Sequence, residues 1–357
     1  MNVAILGAGN GGQALAGYLS FKGFSVNLYN RSEKRIKHIK NDMGIHLRGL
    51  FEEFAPLNVI TTDIKKALSD VDLVMVVVPA QAHKHIAEIC APHLDDGQVV
   101  VLNPGRTGGA LEFKDTLDRK GFSKRVYLAE TQTFLFVSRV VDNQARITGI
   151  KKSVPVAAFP ASDTDRVISL LKKVHPSFEK AENVMETSLA NIGAIFHPST
   201  MIFNMGRIES SQNFSYYFDG ITPHVARFLE RVDKERQRVA HAVGVATLSA
   251  RQWLRRVYNA QGETLFERIQ DNGKYRGVGS PQTPTHRYIM EDIPTGLVPI
   301  ASLGNHLGVP TPAIDSVIGV ATHLYGIDFG VEGRTVKSLG LEEMNSQQMI
   351  EYVTSGA

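Results

Sequence analysis

Three side chains in the second half of the chain have the chemistry to move a proton and to hold an acid. His197 lies in Asn191-Ile-Gly-Ala-Ile-Phe-His-Pro-Ser-Thr200, an otherwise apolar helical stretch. Imidazole exchanges a proton near neutral pH, which the reduction of a carbonyl or an imine requires. Pro198 follows at once and removes the hydrogen bond to the carbonyl of Ala194, so a kinked helix is expected at the histidine. Arg287 and Asp292 belong to Arg287-Tyr-Ile-Met-Glu-Asp-Ile-Pro-Thr-Gly296. An aspartate can hold a histidine in one tautomer and stabilise imidazolium, or it can simply cap a helix. A guanidinium can clamp a carboxylate with two parallel bonds, or it can be a surface charge. Spacing alone does not bring position 292 to position 197.

The other chemical signal is at the N-terminus. Val3 to Leu6 is a short apolar run, Gly7-Ala8-Gly9-Asn10-Gly11-Gly12 matches G-x-G-x-x-G, and Gln13 to Ser20 has helical apolar spacing. Gly7 allows the tight turn, Gly9 lets the backbone approach a pyrophosphate, and Gly12 lets the helix pack on the strand. The pyrophosphate is expected on the free N–H groups of the helix N-terminus. Asn10 and Gly11 lie in the same loop. A second strand, Ser25 to Asn30, ends where an NAD-selective site carries an acid for the ribose 2′-hydroxyl. Here Asn30 is neutral and Arg31 and Ser32 follow, a set suited to a 2′-phosphate, so NADP(H) is expected over NAD(H). The plain alternative is that Arg31, Lys34 and Arg35 form a solvated helix start.

Stepping outward, 357 residues suit two domains. The formal charge of +3, from dispersed residues, calls for no nucleic-acid partner. A lone cysteine, Cys90, has no internal disulfide partner; it suits a reducing cytoplasmic setting and reads as a packed apolar residue. No apolar run is long enough to span a bilayer, and the first strand leaves no room for a signal peptide.

Residues 1–182 alternate strand and helix. Beyond the first two strands come 57–61, then 73–78 closed by Pro79, 98–102 and 125–129, with helices at 81–93 and 110–119. The run Leu73-Val-Met-Val-Val-Val78 is apolar throughout, as in a strand buried on both faces. This is α/β: a doubly wound parallel sheet of Rossmann type, which 135–141 and 153–159 are expected to extend. From 183 to 357 the pattern is helical, starting with a long stretch from Val184 to Arg207. That mainly α-helical domain is expected to hold the substrate and to close over the nicotinamide.

In open parallel sheets ligands collect beyond the carboxyl ends of the strands. Asn103-Pro-Gly-Arg-Thr-Gly-Gly109 ends one strand, so Pro79, Asn103 and Gly105 are candidate cofactor contacts. Ala129-Glu-Thr-Gln-Thr133 ends another, so Thr131 and Gln132 are candidate substrate contacts. Tyr216, Tyr217 and Phe218 could line an amino-acid pocket, though such clusters are more often core.

In these segments the chain resembles the opine (octopine/nopaline-type) dehydrogenase family, especially the bacterial N-(1-carboxyethyl)-norvaline dehydrogenase type. The resemblance rests on Gly7-x-Gly-Asn-Gly-Gly12, Asn103-Pro-Gly-x-Thr-Gly-Gly-Ala-Leu-Glu112, Glu186-Thr-Ser-Leu189, Phe196-His-Pro198, Gly220-Ile-Thr-Pro223, Glu291-Asp292, Thr295-Gly-Leu-Val-Pro299 and Glu332-Gly-Arg-Thr335. It implies a helical domain of the 6-phosphogluconate dehydrogenase C-terminal type, a catalytic pair at His197 and Asp292, and a carboxylate-holding arginine at Arg287. It also implies a reaction: reductive condensation of a 2-oxo acid, pyruvate-like, with the amine of an amino acid. A homodimer is the expected assembly. Two alternatives remain open, a 2-hydroxyacid or ketopantoate-like NADPH reductase and a non-catalytic NADPH-binding sensor. The first is disfavoured because Val184 to Asn204 contains no lysine.

Overall fold

The computed structural model describes residues 1–356. By contact density the chain divides into two units, Met1–Thr187 together with the chain end from Glu351, and Ser188–Ile350. The division falls a few residues past the expected 182/183 boundary, and the chain end belongs with the first unit. The reason is packing: the Tyr352 ring lies on Phe159 at 4.8 Å.

The first unit contains β1 (Asn2–Leu6), α1 (Asn10–Phe21), β2 (Ser25–Tyr29), α2 (Glu33–Asp42), β3 (Gly44–Gly49), β4 (Phe54–Pro56), β5 (Val59–Thr61), α3 (Ile64–Leu68) and β6 (Leu73–Val76). It continues with α4 (His83–Cys90), β7 (Val99–Leu102), α5 (Gly109–Arg119), β8 (Tyr127–Thr131), β9 (Phe136–Val141), β10 (Gln144–Ile150), β11 (Val154–Phe159), α6 (Thr164–Val174) and β12 (Phe178–Lys180). The main sheet has the order β12-β11-β8-β7-β6-β1-β2-β5. It is parallel from β5 to β8, while β11 runs antiparallel to β8 and parallel to β12. Strands β1, β6 and β7 are apolar because helices cover both faces of the sheet.

One expectation about the sheet needs correction. Residues 136–141 do not extend the main sheet; they pair with β10 in a separate sheet of order β4-β3-β10-β9. This second sheet packs on α1, which accounts for the burial of every residue from Gly12 to Leu19 in that helix. Ile45 and Leu47 of β3 point at Gly17, where a Cβ would come within 2.7 Å of the Leu47 side chain. Residues 154–159 do join the main sheet, as β11.

The second unit is helical apart from an isolated bridge, Ser215 to Gly279. The expected long helix from Val184 is three: α7 (Val184–Leu189), which spans the division between units, α8 (Ile192–Phe203) and α9 (Met205–Glu209). The helix runs through Pro198, and its interruptions fall at Asn191 and Asn204 instead. Asn191 starts α8 by accepting a hydrogen bond from the Ala194 N–H, and Asn204 turns away to the carbonyl of Gly220. There follow α10 (Pro223–Val243), α11 (Ala250–Tyr258), α12 (Leu265–Asp271), α13 (Arg287–Met290), a π-helical turn (Ile293–Leu297), α14 (Val298–His306), α15 (Pro312–Tyr325), α16 (Phe329–Glu332) and α17 (Ser346–Ser355). Arg236 on α10 is fully buried, yet its guanidinium is satisfied by Asp233 and by the carbonyls of Leu189 and Leu248. Buried charges persist only when paired in this way.

Candidate active site

The glycine loop has the geometry that its glycines imply. Gly7 has φ +115°, and a Cβ there would lie 2.4 Å from the Val77 carbonyl oxygen. A Cβ on Gly12 would lie 1.7 Å from the Gly7 oxygen, so the helix can start here only with glycine. Gly9, by contrast, has open space where a side chain would be. It is also the N-cap of α1, and having no side chain it leaves the first N–H groups of the helix without a side-chain cap, as anion binding at a helix N-terminus requires. These residues fit a dinucleotide pyrophosphate. Gly11 packs on Phe134, and the Asn10 side chain is already engaged, its Oδ1 accepting from the Val140 N–H at 2.9 Å.

Asn30 closes the loop from the second strand. Its Oδ1 accepts from the Ala8 N–H at 3.0 Å and its Nδ2 donates to the Ser32 carbonyl at 3.0 Å. The side chain therefore braces the loop. Arg31 and Ser32 are exposed immediately before α2, whose N-cap Ser32 makes no side-chain capping bond.

At the carboxyl ends of β7 and β8 a buried carboxylate organises the chain. Glu130 is fully buried; its Oε2 accepts from the Ala110 N–H at 2.8 Å and its Oε1 from the Thr187 hydroxyl at 2.7 Å. Gly105 faces it so closely that a Cβ would fall 2.3 Å from Oε2. Asn103 is buried and donates to the Val101 carbonyl. Thr131 is buried, and its hydroxyl donates to the Leu102 carbonyl. Asn103 and Thr131 thus spend these side-chain bonds on the backbone of β7, and Gly105 leaves room for the Glu130 carboxylate. The backbone of Gln132 is tied to Pro155, while Pro79 is exposed beyond β6. Cys90 is buried and its thiol is pushed up by burial, as suits a packing residue.

The second unit brings His197 and Asp292 together. Nδ1 of His197 lies 2.8 Å from Oδ2 of Asp292. Asp292 is fully buried and His197 is 15% exposed. An ionised carboxylate only accepts, so Nδ1 donates and Nε2 carries the lone pair. Asp292 begins the π-helical turn without capping it, so its side chain serves the histidine. The approach depends on Gly296, where a Cβ would fall 2.7 Å from that of Ala194 on α8. The backbone carbonyl of His197 accepts from the Tyr216 hydroxyl at 2.7 Å, and the imidazole stacks on Tyr288 at 4.0 Å.

Arg287 is 56% exposed, and its Nε pairs with the buried Glu291 carboxylate at 3.2 Å. That pairing engages the Nε edge of the guanidinium. Two tyrosines adjoin the histidine: Tyr217, read in the sequence only as a possible pocket-lining aromatic, whose hydroxyl is 3.2 Å from Nε2, and Tyr288, which the sequence did not single out. The signal for Tyr217 was the aromatic density of Phe214-Ser-Tyr-Tyr-Phe218, and Tyr288 carried none of its own.

With this geometry in hand, likeness to known proteins can be weighed. Residues 180–325 match the family described as NAD/NADP octopine/nopaline dehydrogenase, alpha-helical domain. Residues 2–150 match the NAD-dependent glycerol-3-phosphate dehydrogenase N-terminus. The chain is 39% identical over 345 residues to an opine dehydrogenase of Arthrobacter sp. (strain 1C), covering 96% of each. Among solved structures, octopine dehydrogenase with NADH and agmatine superposes with a TM-score of 0.83 at 21% identity, covering 100% of this chain and 98% of that one. NADP+-bound yersinopine dehydrogenase gives 0.73 at 16%, covering 99% and 97%.

The tautomer of His197 is directly measurable. Nitrogen NMR of the neutral imidazole is expected to show the proton on Nδ1, with that preference lost in Asp292→Leu. A proton on Nε2 in the unaltered protein would contradict the hydrogen bond.

Proposed function

The chain belongs to the opine dehydrogenase family, and we propose from that premise how its own residues divide the reaction. As an opine dehydrogenase it condenses a 2-oxo acid with the amine of an amino acid and reduces the imine, using NAD(P)H, to a secondary-amine dicarboxylate. The observation that supports the division of roles is the 2.8 Å bond between His197 and the buried Asp292.

The nicotinamide, when bound, supplies the hydride. The glycine loop and the N-terminus of α1 hold the pyrophosphate. His197, its Nδ1 proton held by Asp292, exchanges protons with the reacting nitrogen and oxygen through Nε2. Asp292 offsets the positive charge that the ring gains when Nε2 is protonated. Arg287 receives the carboxylate of a pyruvate-like oxo acid with its terminal amino groups, since Nε is committed to Glu291.

For the cofactor we favour NADP(H). Asn30 is neutral and spent on bracing the loop, so nothing there repels a 2′-phosphate. Arg31 and Ser32, exposed at the start of α2, are placed to receive it. A cytoplasmic homodimer completes the reading. The buried, unpaired Cys90 suits a reducing compartment, and the exposed Phe203, Val320 and Leu324 suit a subunit contact. No helix among the described residues is long and apolar enough to cross a membrane.

NADPH oxidation with pyruvate plus pooled amino acids, against pyruvate alone, tests the activity and its substrate class. Oxidation is expected only with both, and in His197→Ala it should fall by about two to four orders of magnitude with NADPH binding intact. Near-normal turnover in that variant would return His197 to a packing role. For the cofactor, Arg31→Ala should raise the Michaelis constant for NADPH by roughly ten- to a hundredfold, the worth of one good charge-assisted contact, and leave that for NADH nearly unchanged. Equal effects on both would remove the assignment. Arg287→Lys keeps the charge but loses the planar fork, so it should weaken the oxo acid far more than the amino acid or NADPH. A uniform effect on all three substrates would argue against the clamp.

A further inference from the structure

His197 has only one nitrogen to spare, and the structure gives it a neighbour. Nδ1 is committed to Asp292, while Nε2 lies 3.2 Å from the Tyr217 hydroxyl. Tyr217 is buried and its ring is clamped face to face on Tyr275 at 4.1 Å, so the hydroxyl has little freedom to turn away. The same hydroxyl is hydrogen-bonded to that of Tyr288, whose ring lies over the imidazole and is partly exposed. Three groups thus form a line: Tyr288, Tyr217, Nε2. Burial pushes the Tyr217 phenol well above its ordinary range, so it stays neutral. A neutral phenol can donate to one neighbour while accepting from another.

The family reaction needs such a line. Condensation of a 2-oxo acid with an ammonium group expels water, whose two hydrogens come from the nitrogen, and leaves an iminium. The hydride pair goes to the iminium carbon and gives a neutral secondary amine, which takes a proton to become a secondary ammonium. Each turnover therefore takes up one proton net, beside the hydride. After His197 has given its Nε2 proton to the substrate nitrogen, it must be recharged.

We infer that Tyr217 is a positioning residue that recharges His197, passing a proton inward along the hydroxyl chain from Tyr288 to Nε2. As the Tyr217 proton moves to Nε2, the Tyr288 proton moves to Tyr217, and Tyr288 is replenished from water. No bond between heavy atoms changes, and no phenolate accumulates. Once His197 is charged the line reverses polarity: Nε2–H donates to Tyr217, which donates to Tyr288. Other titratable groups stand around the ring. Asp292 comes from the π-helical turn and Tyr216 from the segment before α10, while His286 lies behind Tyr288 and Tyr258 behind Tyr275. Arg287 and Glu291 pair with each other.

This inference rests on the His197 reading, and the test separates the two. Tyr217→Phe keeps the ring and its stacking and removes only the hydroxyl. The expected result is a kcat lower by about tenfold or more, the low end for a group acting in proton transfer. Michaelis constants for NADPH and both substrates should stay near normal. The pH profile of kcat should change, and the solvent deuterium isotope effect should grow. Tyr288→Phe should act in the same direction, and adding it to Tyr217→Phe should cost little more, because the two belong to one chain. Unchanged kcat and an unchanged pH profile in Tyr217→Phe, with turnover lost in His197→Ala, would overturn the relay alone. Turnover retained in His197→Ala would overturn the reading beneath it. Should Tyr217→Phe fail to fold, Tyr288→Phe, altered at a partly exposed ring, decides: an unchanged isotope effect and pH profile there refute the relay.

Discussion

A carboxylate withdrawn from water stays ionised only if other groups replace its hydration, and Asp292 is fully withdrawn. Much of the second unit's local architecture can be traced to that requirement. The partner is the Nδ1–H of His197, and supplying it fixes the tautomer, the ring plane and the direction in which Nε2 points. Holding the two at 2.8 Å needs the π-helical turn pressed against α8, which Gly296 permits by offering no side chain toward Ala194. It also needs the backbone of α8 held at the histidine, where the Tyr216 hydroxyl takes the carbonyl of His197. A helix that carries proline at the next position is thereby pinned at its functional residue.

The first unit meets the same constraint with a different residue. Glu130 at the end of β8 is as buried as Asp292, and its partners include the N–H of Ala110 and the hydroxyl of Thr187. It anchors the start of α5 and, through the space that Gly105 leaves for it, sets the path of the loop after β7. The bonds differ in what they fix: those of Glu130 to the Ala110 N–H and the Thr187 hydroxyl set the path of the chain, whereas that of Asp292 holds an imidazole whose other nitrogen can exchange a proton.

How much of this was legible in the sequence varies with range. The glycine loop could be read residue by residue, because each glycine answers a local steric demand: Gly7 by its φ, Gly12 by contact with Gly7 itself. The apolar strands of the main sheet were equally plain. The second sheet was not, since β4 is only three residues long and the other neighbour of β3, β10, lies far along the chain. Asn103, Gly105 and Thr131 were chosen correctly as strand-end residues, but position at a strand end does not say whether a side chain faces outward or inward. The nearness of Asp292 to His197 is purely tertiary; no periodicity spans 95 positions, and only the resemblance to a family suggested it. Tyr217 and Tyr288 were hidden for a related reason. An aromatic run looks alike whether it fills a core or faces a histidine.

Asn30 shows how one side chain can serve structure and selectivity at once. An amide offers both an acceptor and a donor, and both are used: the oxygen takes the Ala8 N–H and the nitrogen reaches the Ser32 carbonyl. A carboxylate could fill only the first of these roles, and toward the second it would present oxygen to oxygen. It would also place negative charge beside Arg31 and Ser32, the groups suited to a phosphate. The neutral amide thus keeps the glycine loop tied to β2 without the charge that a 2′-phosphate would meet. In this chain the loop geometry common to dinucleotide sites and the local charge that discriminates between them converge on a single residue, and they favour the same answer.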